Sequence, residues 1–210
     1  GWWSPQGFRI GVEYTKEQID RALAAENRQE ALNIVPQQDF SGHGTAVTAI
    51  AASSNPEILL QGVAPGCELL IVKLRTAAGS DFPATTELMR AATYAVRKSL
   101  ELNRPLVINL SFGNTYGSHD GSSLVERFLD NIAEIGRTSI CVGAGNEGSS
   151  GGHFTANIKN TAVIELAVAE RETTTNVQFW KSYEDDFENY KTYLDDYIFR
   201  NNKNKGFKLL

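Results

Sequence analysis

The chain has 210 residues, 41% of them hydrophobic and 21% charged, with a formal net charge of −5 at pH 7. That is enough apolar material for one sizeable core. The mild acidity and the lack of a dense Lys/Arg cluster argue against a nucleic-acid surface, and no apolar run reaches the ~18 residues of a membrane-spanning helix.

The opening Gly1-Trp2-Trp3-Ser4-Pro5 has neither the basic start nor the apolar stretch of a secretory leader, which leaves export undecided. A short strand is expected over 8–14. Thr15 then reads as the N-cap of a helix over about 16–27, with Ile19, Leu23 and Ala24 on one face. The stretch to Asp39 reads as loop, and a second helix runs from His43 to about Ser53.

From there the chain alternates. Leu69–Leu74 is an apolar run of strand length. Thr85–Leu102 carries Leu88, Ala91, Ala92, Ala95, Val96 and Leu100 at helical spacing. Leu106–Phe112 is a second strand, Ser123–Ile135 a helix, Ile140–Gly143 a third strand and Ala162–Val168 a fourth. Apolar strands separated by amphipathic helices predict an α/β fold, a parallel sheet with helices on both faces. The last thirty residues differ. Seven aromatics (Tyr183, Phe187, Tyr190, Tyr193, Tyr197, Phe199, Phe207) are interleaved with charges, a helix is a candidate over 183–199, and 201–205 reads as disordered.

Four segments carry chemistry. Ser41-Gly42-His43-Gly44-Thr45 leads into the apolar run 46–52, which reads as a buried helix holding the imidazole at its first turn. A general base needs that mounting, because it must keep its geometry while it moves a proton. The plainer reading is a glycine turn capping a core helix. Gly62-Val63-Ala64-Pro65 follows, then Val107–Gly113, then Val142-Gly143-Ala144-Gly145-Asn146-Glu147-Gly148. Asn146 offers a side-chain amide donor, although Gly-Asn-Glu-Gly is also good turn chemistry. The two cysteines, Cys67 and Cys141, make neither a disulfide framework nor a metal motif, and Cys141 reads as a small core residue. His43, His119 and His153 show no regular zinc-ligand spacing, so no cofactor is expected.

Taken in order, these four segments resemble the subtilisin-like serine proteases, or subtilases, and look closest to the clostridial spore-germination branch. The resemblance covers about residues 33–170. It implies that His43 is the catalytic base and that Asn146 donates to the oxyanion, with Gly145 beside it at the substrate. It further implies that Ser111, Phe112 and Gly113 pair antiparallel with a bound peptide, and that Ala78, Gly79 and Ser80 form the opposite rail. The expected partner is therefore a peptide or protein substrate, and the expected division is a partial catalytic domain over 1–170 followed over 171–210 by the start of a further β region and a divergent, disordered or helical tail. Calcium is frequent in that family, but no Asp/Asn cluster here is assignable to it. The branch suggests a bacterial, spore-associated or cell-associated setting.

Two parts of the family's Asp, His, Ser triad have no counterpart. No Asp-x-Gly strand precedes His43; Asp39 lies in the same loop and Asp20 reads as a solvated helix position. No Gly-Thr-Ser helix follows Asn146, and Ser123-Leu124-Val125-Glu126 reads as a capping box rather than a nucleophile. The chain thus reads as an internal piece of a catalytic domain, inactive by itself. Two rivals stand beside this reading. Gly143–Gly148 formally matches a dinucleotide fingerprint, which would require a helix to begin there. Alternatively, the fold serves as a pseudoprotease, a binding or regulatory scaffold.

Overall fold

Helix α1 (Lys16–Leu23) begins where Thr15 predicts it. The Thr15 hydroxyl accepts from the Gln18 amide, and the Gln18 side chain accepts from the Thr15 amide at 2.8 Å. This reciprocal cap satisfies two amides that the first helical turn leaves unpaired. The helix stops at Leu23, earlier than its apolar spacing suggests, because Asn27 starts a new one. The Asn27 side chain accepts from the Glu30 amide at 3.0 Å and opens α2 (Arg28–Ile34), in a stretch expected to be loop. The two helices pack on each other. The expected strand over 8–14 does not form.

The computed structural model describes residues 4–54, 61–75, 83–111, 113, 116–157, 164–167, 178, 180 and 206–209. Its chain divides into two units, Gly1–Leu69 and Leu70–Leu210. The first unit also holds α3 (His43–Ala52). Its C-terminal turn is clasped by the returning chain: Gly62, Val63 and Ala64 donate backbone bonds to Ser53, Ile50 and Ala51 at 2.8–3.2 Å. Glycine is required at 62, since a Cβ there would lie 2.4 Å from the Ser53 nitrogen and 2.5 Å from that of Ala52. The helix is nevertheless not the buried one its composition predicts. Only Ala52 is buried and Ile50 is 72% exposed. An all-apolar helix needs partners on every side, and the clasp covers one end.

In the second unit, α4 (Thr85–Glu101) leads into β1 (Leu106–Leu110), and α5 (Leu124–Glu134) connects β1 to the parallel strand β2 (Thr138–Val142). The register runs from Leu106 opposite Thr138 to Leu110 opposite Val142. Helix α4 packs on β1, α5 on β2, and the two helices on each other. The core is made of Ala92, Ala95, Val96 and Ser99 of α4, Leu110 of β1 and Ile132 of α5. Small residues on α4 allow close approach to the sheet, and Ser99 stays satisfied by donating to the Val96 carbonyl at 2.8 Å. Strand alternation explains the rest: Leu106, Ile108 and Leu110 are covered in part or whole, whereas Val107 between them is 69% exposed. Cys141 is exposed as well, opposite Asn109, so it is not a core residue.

The expected strand Leu69–Leu74 makes no ladder over its length. By contrast β3 (Ile164–Ala167) forms as expected, and it pairs antiparallel with β4 (Gly206–Leu209), at the end of the region expected to begin a further β part and to finish in a disordered or helical tail. The candidate helix over 183–199 and the polar run 201–205 lie outside the described residues.

Candidate active site

His43 is the first residue of α3, and the loop before it is held by one carboxylate. Asp39 accepts through Oδ1 from the Ser41 amide (3.2 Å), the Ser41 hydroxyl (3.2 Å) and the Gly42 amide (2.9 Å). Through Oδ2 it accepts from the Thr45 amide (2.9 Å) and the Thr45 hydroxyl (2.8 Å). Gly42, with φ +76°, takes the left-handed turn this wrapping needs, a conformation that costs glycine least. The Thr45 amide, followed by the Thr45 hydroxyl and the Gly42 amide, holds the Asp39 carboxyl far below the usual carboxylate range. A charge at a helix N-terminus also meets the positive end of the dipole. Asp39 is thus committed to fixing the turn that presents His43, and the His43 amide donates to the Ser41 hydroxyl at 3.2 Å. The imidazole-bearing residue itself is exposed.

The other candidate residues that the structure describes come from the second unit. The β1–β2 pairing does not end at Val142, because the Gly143 amide donates to the Leu110 carbonyl at 2.9 Å. That bond locks the start of the 143–148 loop beside Ser111, whose hydroxyl accepts from the Asn109 side-chain amide at 2.9 Å. Ser111, Gly113, Gly145 and Asn146 therefore leave the sheet together at the carboxyl ends of two parallel strands, the edge at which open α/β sheets place their ligands. Gly145, with φ +87°, turns the chain immediately before Asn146. Asn146 is exposed, and the segment behind it closes into a turn, with the Ser150 amide on the Glu147 carbonyl at 2.9 Å.

No helix begins anywhere in 143–157. The dinucleotide reading needs one to meet a pyrophosphate, so the geometry speaks against it. Phe112 and the rail residues Ala78, Gly79 and Ser80 lie outside the described residues.

Several serines of the second unit's loops are engaged in local hydrogen bonds. Ser123 is the N-cap of α5: its hydroxyl accepts from the Glu126 amide at 3.4 Å, and Glu126 Oε2 accepts from the Ser123 amide at 2.9 Å. The Ser150 hydroxyl donates to the Glu147 carbonyl at 2.6 Å. Asp120 accepts from the Ser118 hydroxyl and from the Ser122 amide (2.9 Å), which hold its carboxyl down at about 2. Sequence reasoning set Asp39 aside; the signal that identifies its role is an acidic residue just ahead of a glycine-started helix.

The model of the subtilase family matches residues 9–192 of the chain. The chain belongs to the subtilase family. Subtilisin BL of Lederbergia lenta is 31% identical over 130 residues, 60% of this chain and 43% of that protein. Tripeptidyl-peptidase 2 of Oryza sativa subsp. japonica is 35% identical over 114 residues, 52% of this chain and 8% of that protein. The solved structure of the Clostridium perfringens CspB protease superposes with a TM-score of 0.71 at 36% identity, covering 77% of this chain and 34% of that one. This subtilase chain thus spans less than half the length of each of these relatives. The likeness establishes a subtilisin-like α/β fold and agrees with the clostridial branch expected from the sequence.

Proposed function

We propose that this subtilase chain carries the general base and the oxyanion donor of a serine-type endopeptidase acting on peptide or protein substrates. His43 takes the proton from the attacking hydroxyl and later returns it to the leaving amine. The Asn146 side-chain amide donates to the oxygen that becomes negative in the tetrahedral intermediate. The backbone of Ser111 and Gly113 offers an edge to which an extended peptide adds as a strand. The observation that supports this most is the Leu110–Gly143 closure, which delivers Ser111, Gly113, Gly145 and Asn146 to one strand-end edge. In subtilisin, the type example of this donor, removing it costs about 10²–10³ in turnover.

Among the described residues the serine that opens a helix, Ser123, is consumed as its cap and is not an activated nucleophile. The isolated chain therefore forms no acyl-enzyme. A fluorophosphonate probe tests both statements. The 210-residue chain stays unlabelled, and stoichiometric labelling of any of its serines overturns that part. A longer protein containing this chain is labelled, and His43→Ala abolishes the labelling. If the longer protein is never labelled, the chain belongs to a pseudoprotease scaffold instead.

A further inference from the structure

Two loops of the second unit meet at a pair of histidines that the proteolytic reading does not use. The rings of His119, in the loop before α5, and His153, in the glycine loop after Asn146, have centroids 5.0 Å apart and are inclined at 51°. A tilted ring contact alone has such a spacing, but so does a chelate. With metal–nitrogen bonds of about 2.0–2.1 Å and a tetrahedral angle, two imidazoles on one zinc ion have centroids about 5 Å apart.

The surroundings favour the chelate. His119 sits at φ +57°, the left-handed region that histidine enters more readily than most residues with a side chain. Its neighbour in the chain, Asp120, accepts from the Ser118 hydroxyl and from the Ser122 amide at 2.9 Å, which orders the turn around it. That carboxylate adds a negative charge one residue from the imidazole. His153 follows Gly151, at φ +63°, and Gly152, so the second ligand rides on an adaptable arm. Both residues are exposed to an arriving ion. Each ring has two nitrogens, so either can bind metal and keep a protein hydrogen bond.

We propose that His119 and His153 form a two-imidazole site for a borderline divalent transition-metal ion such as Zn²⁺. Binding there ties the loop carrying Asn146 to the loop that starts α5. Among the described residues no group of three or more His, Cys, Asp or Glu is assembled for a metal. The proposal takes these two imidazoles as the protein ligands and water as the remaining ones, which makes the site open rather than structural. Imidazole ligation ranks the ions with Cu²⁺ tightest, then Zn²⁺ and Ni²⁺ above Co²⁺.

The test is titration of the intact 210-residue chain with ZnCl₂ at neutral pH by calorimetry. One ion binds per chain, and the Gly151, Gly152, His153 and Asn146 amide resonances shift as it does. His119→Ala and His153→Gln each weaken binding at least about tenfold, with unchanged far-UV circular dichroism. Co²⁺ in place of Zn²⁺ gives d–d absorption without a thiolate charge-transfer band, which separates this site from Cys67 and Cys141. No binding, full affinity in either variant, or a thiolate band overturns the proposal. The fluorophosphonate result is independent of it, so one reading can fail while the other stands.

Discussion

The loop of His43 and the loop of Asn146 are held in place by different physics. The first is wrapped around a carboxylate that accepts five hydrogen bonds, all from residues within six positions of it. The second is anchored by strand register, through an amide of Gly143 bonded to Leu110 across the sheet. The first arrangement is local, exposed and charged, so acid undoes it. The second depends on helices packed far along the chain, so core mutations undo it. The two loops of the proposed site thus rest on a titratable clamp in one case and on strand register in the other.

The largest expected effect comes from the strand register. Ile132 is 6% exposed, the buried residue of α5, the helix that packs on both β2 and α4. Ile132→Ala removes most of that side chain and leaves a cavity, at a cost of about 2–5 kcal/mol. Since each ~1.4 kcal/mol is tenfold in an equilibrium, the Gly143 amide should exchange with solvent at least about tenfold faster. Unchanged Gly143 exchange would show that α5 packing does not control the strand end.

Next comes the clasp behind His43. A Cβ on residue 62 meets backbone on every near side, at 2.4, 2.5 and 2.8 Å, so no side chain can swing away to make room. Gly62→Ala should therefore cost about 1–3 kcal/mol. The Val63 and Ala64 amides, bonded to Ile50 and Ala51, should lose protection first. A variant with wild-type protection at both amides would mean that the close approach is readily relieved.

What the sequence disclosed divides along the same line. Thr15 and Ser123 were legible as caps because a capping box is written in four consecutive residues. Helix α4 and strand β1 were legible because one face of each is buried, and periodicity records that. Helix α2 was missed because its signal is a single asparagine in a polar stretch. Leu69–Leu74 has a strand's composition but no ladder, and α3 has a core helix's composition but an exposed surface. Composition reports what a segment would bury, whereas pairing depends on what is there to bury it. The candidate site followed a similar rule. The strand-end position of Ser111 and Asn146 was implied by the βαβ pattern, while the Asp39 clamp needed side-chain geometry that no spacing encodes.

The smallest effect, and the one with a pH signature, belongs to that clamp. Asp39 is exposed, so solvent screens its interactions. Its folded-state carboxyl is held well below the ordinary value by the donors of Thr45, Gly42 and Ser41. A depressed pKa contributes stability above the unfolded value of about 3.9, and that contribution drains away as pH falls below it. Protection of the Thr45 amide, corrected for intrinsic exchange, should be constant from neutral pH down to about 4 and then decline. Asp39→Asn should begin with lower protection at neutral pH, because its single amide oxygen cannot accept from the two Thr45 donors and also from the three donors of Ser41 and Gly42. It should also show no further loss from titration at this position on acidification. Equal protection in the two proteins at neutral pH would sink the clamp. Parallel acid profiles would mean that some other carboxylate governs how the His43 turn responds to pH.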